Sequence, residues 1–304
     1  MASQLAEFSK EIAQLVDRVA PSVVVVHGRR HIPSSGVHWR KNLIVTVEHA
    51  LRRDEDITVI DSNGQTLHAT LVGRDPGTDI ALLKVEGLSL PEVDPGSDGA
   101  PKVGDVSLVV GRSPNSGPNV SMGILSAVSG PWRTWRGGQL DQYIRLGAEV
   151  FPGSSGGAVI DYQGRVVGIA TSVLSRVAGL AIPTSTINRV VDLLLSKGSV
   201  PRPYLGVGLQ TIPIPGSFQE KFTLSSDAGM MVLSVEAGSS ADKAGILVGD
   251  ILLSIDGKNV EDMDDLQSYL TVEMIGKRVE ARVIRGGEIQ HIAILVGERG
   301  GIKK

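Results

Sequence analysis

The segment Phe151-Pro152-Gly153-Ser154-Ser155-Gly156-Gly157-Ala158 carries the residue types most suited to chemistry in this sequence. A serine between glycines exposes its hydroxyl on a tight turn, while the adjacent backbone N–H groups point at the oxyanion of a tetrahedral intermediate. Only glycine lets a backbone come so close to a substrate. The plain alternative is a Gly/Ser-rich hairpin loop. Two upstream stretches could complete an acyl-transfer site. Thr46-Val47-Glu48-His49-Ala50 sets a histidine at the end of an apolar strand, and Asp79 stands at the mouth of the buried run Ile80-Ala81-Leu82-Leu83. A carboxylate there is costly without a partner, and a histidine Nδ1–H is a suitable one. The order His, Asp, Ser is one in which such triads occur. Gly153–Gly157 also satisfies Gly-x-Ser-x-Gly, but that nucleophile elbow needs a helix after the serine and a histidine later in the chain. Ala158-Val159-Ile160-Asp161 instead reads as a strand, and the later His291 sits in an alternating strand pattern.

Composition narrows the classes of function. The chain has 304 residues, 41% hydrophobic and 21% charged, which is ordinary globular usage with room for about two domains. Its 37 glycines match the many tight turns of a β-rich protein. Zero cysteines exclude disulfides, Cys-ligated zinc and a thiol nucleophile. Thirty basic residues against 33 acidic ones leave a net charge of −3, so no global field draws the chain to nucleic acid or to an anionic membrane. Arg29, Arg30, Arg40, Lys41, Arg52 and Arg53 read as a solvated face, because Trp39 is the one aromatic among them. His27 and His31 lie four apart, but Arg29 and Arg30 between them oppose a cation, so no metal is expected. No apolar run approaches the roughly 18 residues of a membrane span.

The elements that must position these residues follow from periodicity. Leu5, Phe8, Ile12, Leu15, Val16 and Val19 recur at helical spacing until Pro21, which predicts a helix that either docks on the chain's own core or forms a subunit contact. From Val23 to about Thr184 short β-branched runs alternate with turn residues, with hairpin signals at Asn63-Gly64 and Gln163-Gly164. Ten strands are expected there, at 23–28, 43–47, 57–61, 66–72, 79–85, 106–111, 120–128, 143–146, 158–161 and 166–171. They suit an antiparallel barrel or sandwich, and ten or more strands could make two small barrels. Trp132 and Trp135 mark a loop rather than a core. Thr184 or Ser185 can cap a helix running to Gly198, and Pro201 and Pro203 stiffen a connector after it. The remaining residues predict a compact α+β module with strands at 205–209, 230–235, 251–255, 278–284 and 289–296 and helices at 241–244 and 263–270.

These motifs resemble the HtrA/Deg family of trypsin-like serine proteases. Thr46–Ala50 is similar to the family's Thr-Asn-x-His-Val, Asp75–Val85 to its Asp-x-x-x-Asp-[Ile/Leu]-Ala run, and Phe151–Ala158 to its Asn-Pro-Gly-Asn-Ser-Gly-Gly-Pro. Val120–Ala127 and Leu180–Pro183 add supporting matches. Arg202–Val207, Ser240–Ile246 and Gly249–Leu252 look like the family's PDZ module. The resemblance implies a mainly β chain, a trypsin-like double six-stranded β-barrel followed by an α+β PDZ domain. The expected segments are an amphipathic stretch at 1–21, a protease domain at 22–198, a linker at 199–203, a PDZ domain at 204–299 and a tail at 300–304.

By the same resemblance His49, Asp79 and Ser155 form the triad of a serine endopeptidase that acts on unfolded or misfolded protein, with the N–H groups of Gly153 and Ser155 as the oxyanion hole. Tyr204-Leu205-Gly206-Val207 corresponds to the loop that binds a peptide C-terminus. A homotrimer is implied, and no cofactor. Departures surround the nucleophile: Phe151 and Ser154 replace asparagines, Ala158 a proline and Gly147 an aspartate. Glu149 and Val150 fall where trypsin-like enzymes line the primary specificity pocket, so Glu149 is either a surface carboxylate or an acidic floor for a basic side chain. The rival readings are a non-proteolytic chaperone or PDZ scaffold on a degenerate protease fold, and a plain esterase. Glu7, Lys10, Glu11, Asp17 and Arg18 interrupt any signal-peptide apolar region. The expectation is a cytoplasmic protein, or by resemblance a mature form in the bacterial periplasm or envelope.

Overall fold

In the first unit, hairpins between β-branched strands repeat one turn design in both halves. The computed structural model describes residues 2–29, 32–95 and 101–299; Arg30, His31 and the segment 300–304 lie outside them. The chain divides into two compact units, residues 1–200 and 201–304. Asp61 Oδ1 accepts from the N–H groups of Asn63 and Gln65, both at 2.8 Å, and Asp161 Oδ1 accepts from Gln163 and Arg165 at 2.8 and 3.0 Å. Gly64 and Gly164 follow with φ of +81° and +83°, so the two hairpin signals close alike.

The first unit opens with helix α1 (Ala2–Val19) and continues through β1 (Val23–His27), β2 (Ser34–Arg40), β3 (Leu43–Val47), β4 (Ile57–Ile60), β5 (Thr66–Asp75) and β6 (Ile80–Lys84). These six strands close a barrel in the order β1-β2-β3-β6-β5-β4. β7 (Val106–Ser113), β8 (Gly117–Ser129), the short pair β9 (Trp132–Arg133) and β10 (Gln139–Leu140), and then β11 (Tyr143–Leu146), β12 (Ala158–Asp161), β13 (Val166–Thr171) and β14 (Leu180–Pro183) follow. Six of them close a second barrel, β11-β14-β13-β12-β7-β8. The double six-stranded barrel is as expected. The ten expected strands become the twelve of the barrels by the addition of β2 and β14, and the short pair β9–β10 is a further addition.

A shared apolar core joins both barrels. It takes Val37 and Leu82 from the first, Leu108 and Ile169 from the second, Leu15 and Val19 from α1, and Ile187, Val190, Val191 and Leu194 from helix α2 (Thr184–Lys197). Each such fully buried aliphatic side chain contributes about 1.5–3 kcal/mol relative to exposure. The α1 stripe therefore divides: its inner half docks on the core, while Leu5 and Phe8 remain 71% and 44% exposed. Two local expectations are corrected. No side chain caps α2, because Thr184 Oγ1 donates to Val166 O at 3.1 Å instead; Gly198 does end the helix, in the left-handed conformation. Trp132 is not a loop residue, since it packs against the core and stands edge-on to Tyr143 at 5.2 Å.

The second unit holds a short pair, β15 (Pro203–Tyr204) and β22 (Gly297–Glu298), beside a sheet of β16 (Val207–Pro213), β17 (Ala228–Val235), β18 (Ile251–Ile255), β20 (Arg278–Arg285) and β21 (Glu288–Leu295) in that order, with β19 (Lys258–Asn259) on β18. Helices α4 (Ser240–Ala244) and α5 (Met263–Tyr269) are capped by Ser239 and Asp262, whose side chains accept from Asp242 N and Asp265 N. Asp250 is 1% exposed and is held by Arg285, Nε to Oδ1 at 2.7 Å and Nη2 to Oδ2 at 2.6 Å; this hydrogen bonding raises the Arg285 guanidinium above its ordinary range. The short helix α3 (Gly216–Phe222) is an addition to the expected elements, stabilised where Phe222 stacks on Phe218 at 5.9 Å.

Candidate active site

Strand ends of both barrels converge on Asp79. Its side chain is wholly buried at the head of β6, with φ of +59°, a left-handed conformation that aspartate tolerates better than most residues. A buried carboxylate survives only when fully partnered, and this one is clasped. Asp79 Oδ1 accepts from His49 N at 2.9 Å, and His49 Nδ1 lies 3.0 and 2.9 Å from Oδ1 and Oδ2. Thr171 Oγ1, at the end of β13, donates to Oδ2 at 2.6 Å. In return Glu48 N donates to Asp79 O at 3.1 Å. With its Nδ1–H given to the carboxylate, the imidazole presents Nε2 as a base.

Ser155 is 6% exposed, and two stitches hold it in the same cleft. Its Oγ lies 3.2 Å from Ser172 Oγ, the residue after Thr171. Its carbonyl accepts from Ser35 N at 3.0 Å, and Ser35 O accepts from Thr46 Oγ1 at 2.7 Å, three residues before His49. Gly153 takes a φ of +91°, and among the described residues neither its N–H nor that of Ser155 is given to a protein acceptor. Ser154 departs from the asparagine of the resemblance yet is buried, donating to Asn119 Oδ1 at 2.7 Å. Thr171, Ser172 and Ser35 have no sequence motif of their own and are found only through the fold.

A pocket of about 390 Å³ opens beside this turn, lined by Glu149, Val150, Ser172, Ser175, Arg176 and Gly179 among others. Glu149 is exposed and reaches the pocket with Arg176. Gly179 lies close against Val150, since an added Cβ would stand 2.5 Å from Val150 Cγ2 and displace that side chain. The loop after β9 borders the histidine: Arg136 pairs with Glu48 at 3.4 Å, and Trp135 Nε1 donates to Val173 O at 3.3 Å.

In the second unit Tyr204, Leu205, Gly206 and Val207 lead into β16, which is an edge of its sheet. Gly206 has φ of +84°, and a Cβ there would meet Ser239 Cβ at 2.2 Å. Leu205 O and Gly206 O accept from Ala241 N and Glu236 N, while the N–H groups of Leu205 and Gly206 are given to no acceptor among the described residues. Leu205, Val207 and Leu209 share a core with Leu266 and Leu270. The Tyr204 hydroxyl bonds to Glu236, which raises the phenol above its ordinary value. Free amides at the head of an edge strand suit a terminal carboxylate with strand addition beside it.

Known proteins share both units. A trypsin-like peptidase domain matches residues 34–169 and a PDZ domain matches residues 231–285. The chain is 31% identical over 258 residues to a "Probable periplasmic serine endoprotease DegP-like" of Chlamydia muridarum, covering 83% of this chain and 51% of that protein. It is 35% identical over 260 residues to one of the same name from Rhizobium meliloti, covering 84% and 51%. The chain thus spans about half the length of the curated relatives it matches. Among solved structures, the serine endoprotease from Yersinia pestis superposes with a TM-score of 0.74 at 30% identity, over 95% of this chain and 98% of that one. The HtrA-type protease AlgW with a decapeptide gives 0.74 at 28% identity, over 95% and 99%. With two closed barrels, a following PDZ module and full-length agreement with such structures, the chain belongs to the HtrA/Deg family.

Proposed function

We propose that this chain is a serine endopeptidase for unfolded or misfolded protein, with His49, Asp79 and Ser155 as its triad and a PDZ domain that binds peptide C-termini through Tyr204–Val207. The observation that carries this reading is the clasp on Asp79, which fixes the histidine tautomer needed by a base. Ser155 exchanges Ser172 for His49 Nε2, gives up its proton and attacks the peptide carbonyl. The oxyanion is met by the N–H groups of Gly153 and Ser155, the imidazolium facing Asp79 protonates the leaving amine, and water repeats the sequence on the acyl-enzyme. Glu149 selects a basic side chain before the scissile bond, Val150 forming the wall beside it. The relatives' names support a periplasmic or envelope location. The exposed outer half of α1 supports a homotrimer contact; Phe8→Asp should then lower the mass seen by light scattering, and an unchanged mass would remove this segment from the contact.

Digestion of unfolded β-casein tests the activity, with Ser155→Ala beside the unaltered protein and mass spectrometry of the products. Cleavage is expected to stop in Ser155→Ala, with product C-termini mainly at Lys and Arg; Glu149→Ala should shift those termini to small aliphatic residues. Cleavage by neither protein, in the presence of C-terminal peptides that engage the PDZ domain, would favour a binding scaffold.

A further inference from the structure

One buried side chain grips the catalytic turn from behind. Ser35, wholly buried on β2, donates its hydroxyl to Gly153 O at 2.8 Å, and Ser35 Oγ accepts in turn from Arg112 N at 2.9 Å. Its N–H donates to Ser155 O at 3.0 Å and its carbonyl accepts from Thr46 Oγ1, so every polar atom of the residue is engaged. The two carbonyls it holds belong to Gly153 and Ser155. The peptide unit between Gly153 and Ser154 is fixed at both ends, its C=O on Ser35 Oγ and its N–H on Phe151 O at 2.8 Å. The unit between Ser155 and Gly156 is fixed likewise, its C=O on Ser35 N and its N–H on Ala170 O at 2.8 Å. The intervening unit, which carries the Ser155 N–H, is clamped from both sides. Arg112 anchors this arrangement in turn. Its Nε and Nη2 donate to Val23 O at 2.5 Å and Ala20 O at 2.6 Å, where the N-terminal segment enters the barrel, and burial lowers its guanidinium from the ordinary value.

We propose that Ser35, held by Arg112, is a positioning residue that keeps the Gly153–Ser155 turn in its oxyanion-binding conformation and ties that conformation to the seating of the N-terminal segment. The proposal rests on Ser155 and the oxyanion reading above. A residue that acts only on the oxyanion donors affects the transition state and leaves ground-state binding alone. The test compares Ser35→Ala and Arg112→Met with the unaltered protein. Readouts are kcat and KM on a fluorogenic peptide, and affinity for a peptide boronic acid against the same peptide ending in a carboxamide. Ser35→Ala is expected to lower kcat and boronate affinity by about tenfold to a hundredfold, less than the full loss of a donor, with KM and carboxamide affinity within about twofold. Arg112→Met should move the same two quantities by less. Should Ser35→Ala fail to fold, Arg112→Met decides. Parallel loss of both ligands, or no change in either variant while Ser155→Ala is inactive, overturns the brace alone. Activity retained in Ser155→Ala overturns the underlying reading as well.

Discussion

Asp79→Asn is expected to lower kcat on a peptide substrate about ten-thousandfold while the barrels stay folded. Asparagine has the same shape and accepts a left-handed φ, so the +59° backbone at this position is no obstacle. Removing a buried charge from a partnered site also need not destabilise. The loss is one of proton placement. The carboxylate accepts from His49 N, His49 Nδ1 and Thr171 Oγ1, whereas an amide can turn only one acceptor toward them. Its NH2 group then faces the ring or the threonine hydroxyl. The ring answers by carrying its proton on Nε2, where it cannot take the proton of Ser155. Ser155→Ala, lacking the nucleophile, should fall by roughly a millionfold, and the double variant no further, because the triad works as a unit. Steady-state kinetics with the melting temperature as control makes the measurement. Asp79→Asn within tenfold of the unaltered protein would exclude Asp79 as the group that orients His49.

The three members of the proposed triad are legible in the sequence because each sits in a local pattern: a histidine after an apolar strand, an aspartate before one, a serine among glycines. The partners that complete it are not. Thr171 lies 92 positions from Asp79, and nothing near it in the chain separates it from an ordinary strand residue. β2 is illegible for a related reason. Ser34-Ser35-Gly36-Val37-His38-Trp39-Arg40 looks like a polar loop, yet Ser34, Ser35 and His38 are all buried. Small residues are required because other groups come so near; a Cβ on Gly36 would stand 2.7 Å from Ile44 Cγ2 and 2.8 Å from Val26 Cγ2. Strand propensity cannot register a position chosen to admit a neighbour. The Thr184 cap failed similarly, the hydroxyl finding Val166 O on β13 rather than its own helix. Trp132, between Pro131 and Arg133, carries no local sign of the Tyr143 ring it meets.

Gly156→Ala should abolish measurable cleavage and destabilise the first unit by about 2–4 kcal/mol, the sum of backbone strain and overpacking. Gly156 has φ of +85°, and an added Cβ would stand 2.1 Å from Ser35 O, 2.9 Å from Thr46 Oγ1 and 3.1 Å from Ser35 C. Two of those atoms are backbone of β2, paired to β1 and β3, so they cannot swing aside as a side-chain tip would. The turn must retreat instead. Retreat lengthens the bonds from Ser35 N to Ser155 O and from Ser35 Oγ to Gly153 O, and with them goes the orientation of the Ser155 hydroxyl and of the two amides proposed for the oxyanion. Gly64→Ala separates the two causes of instability. Gly64 has nearly the same φ, +81°, but an added Cβ there meets nothing within 4 Å, so it carries the strain without the collision, in the exposed hairpin turn between β4 and β5 rather than in the 153–157 turn. It should cost about 1–2 kcal/mol and leave kcat unchanged. Trp39, Trp132 and Trp135 are the protein's three tryptophans and all lie in the first unit, so urea unfolding followed by tryptophan fluorescence reports on the barrels. If Gly156→Ala matched Gly64→Ala in both stability and rate, the close approach of β2 to the catalytic turn would have no part in holding the nucleophile.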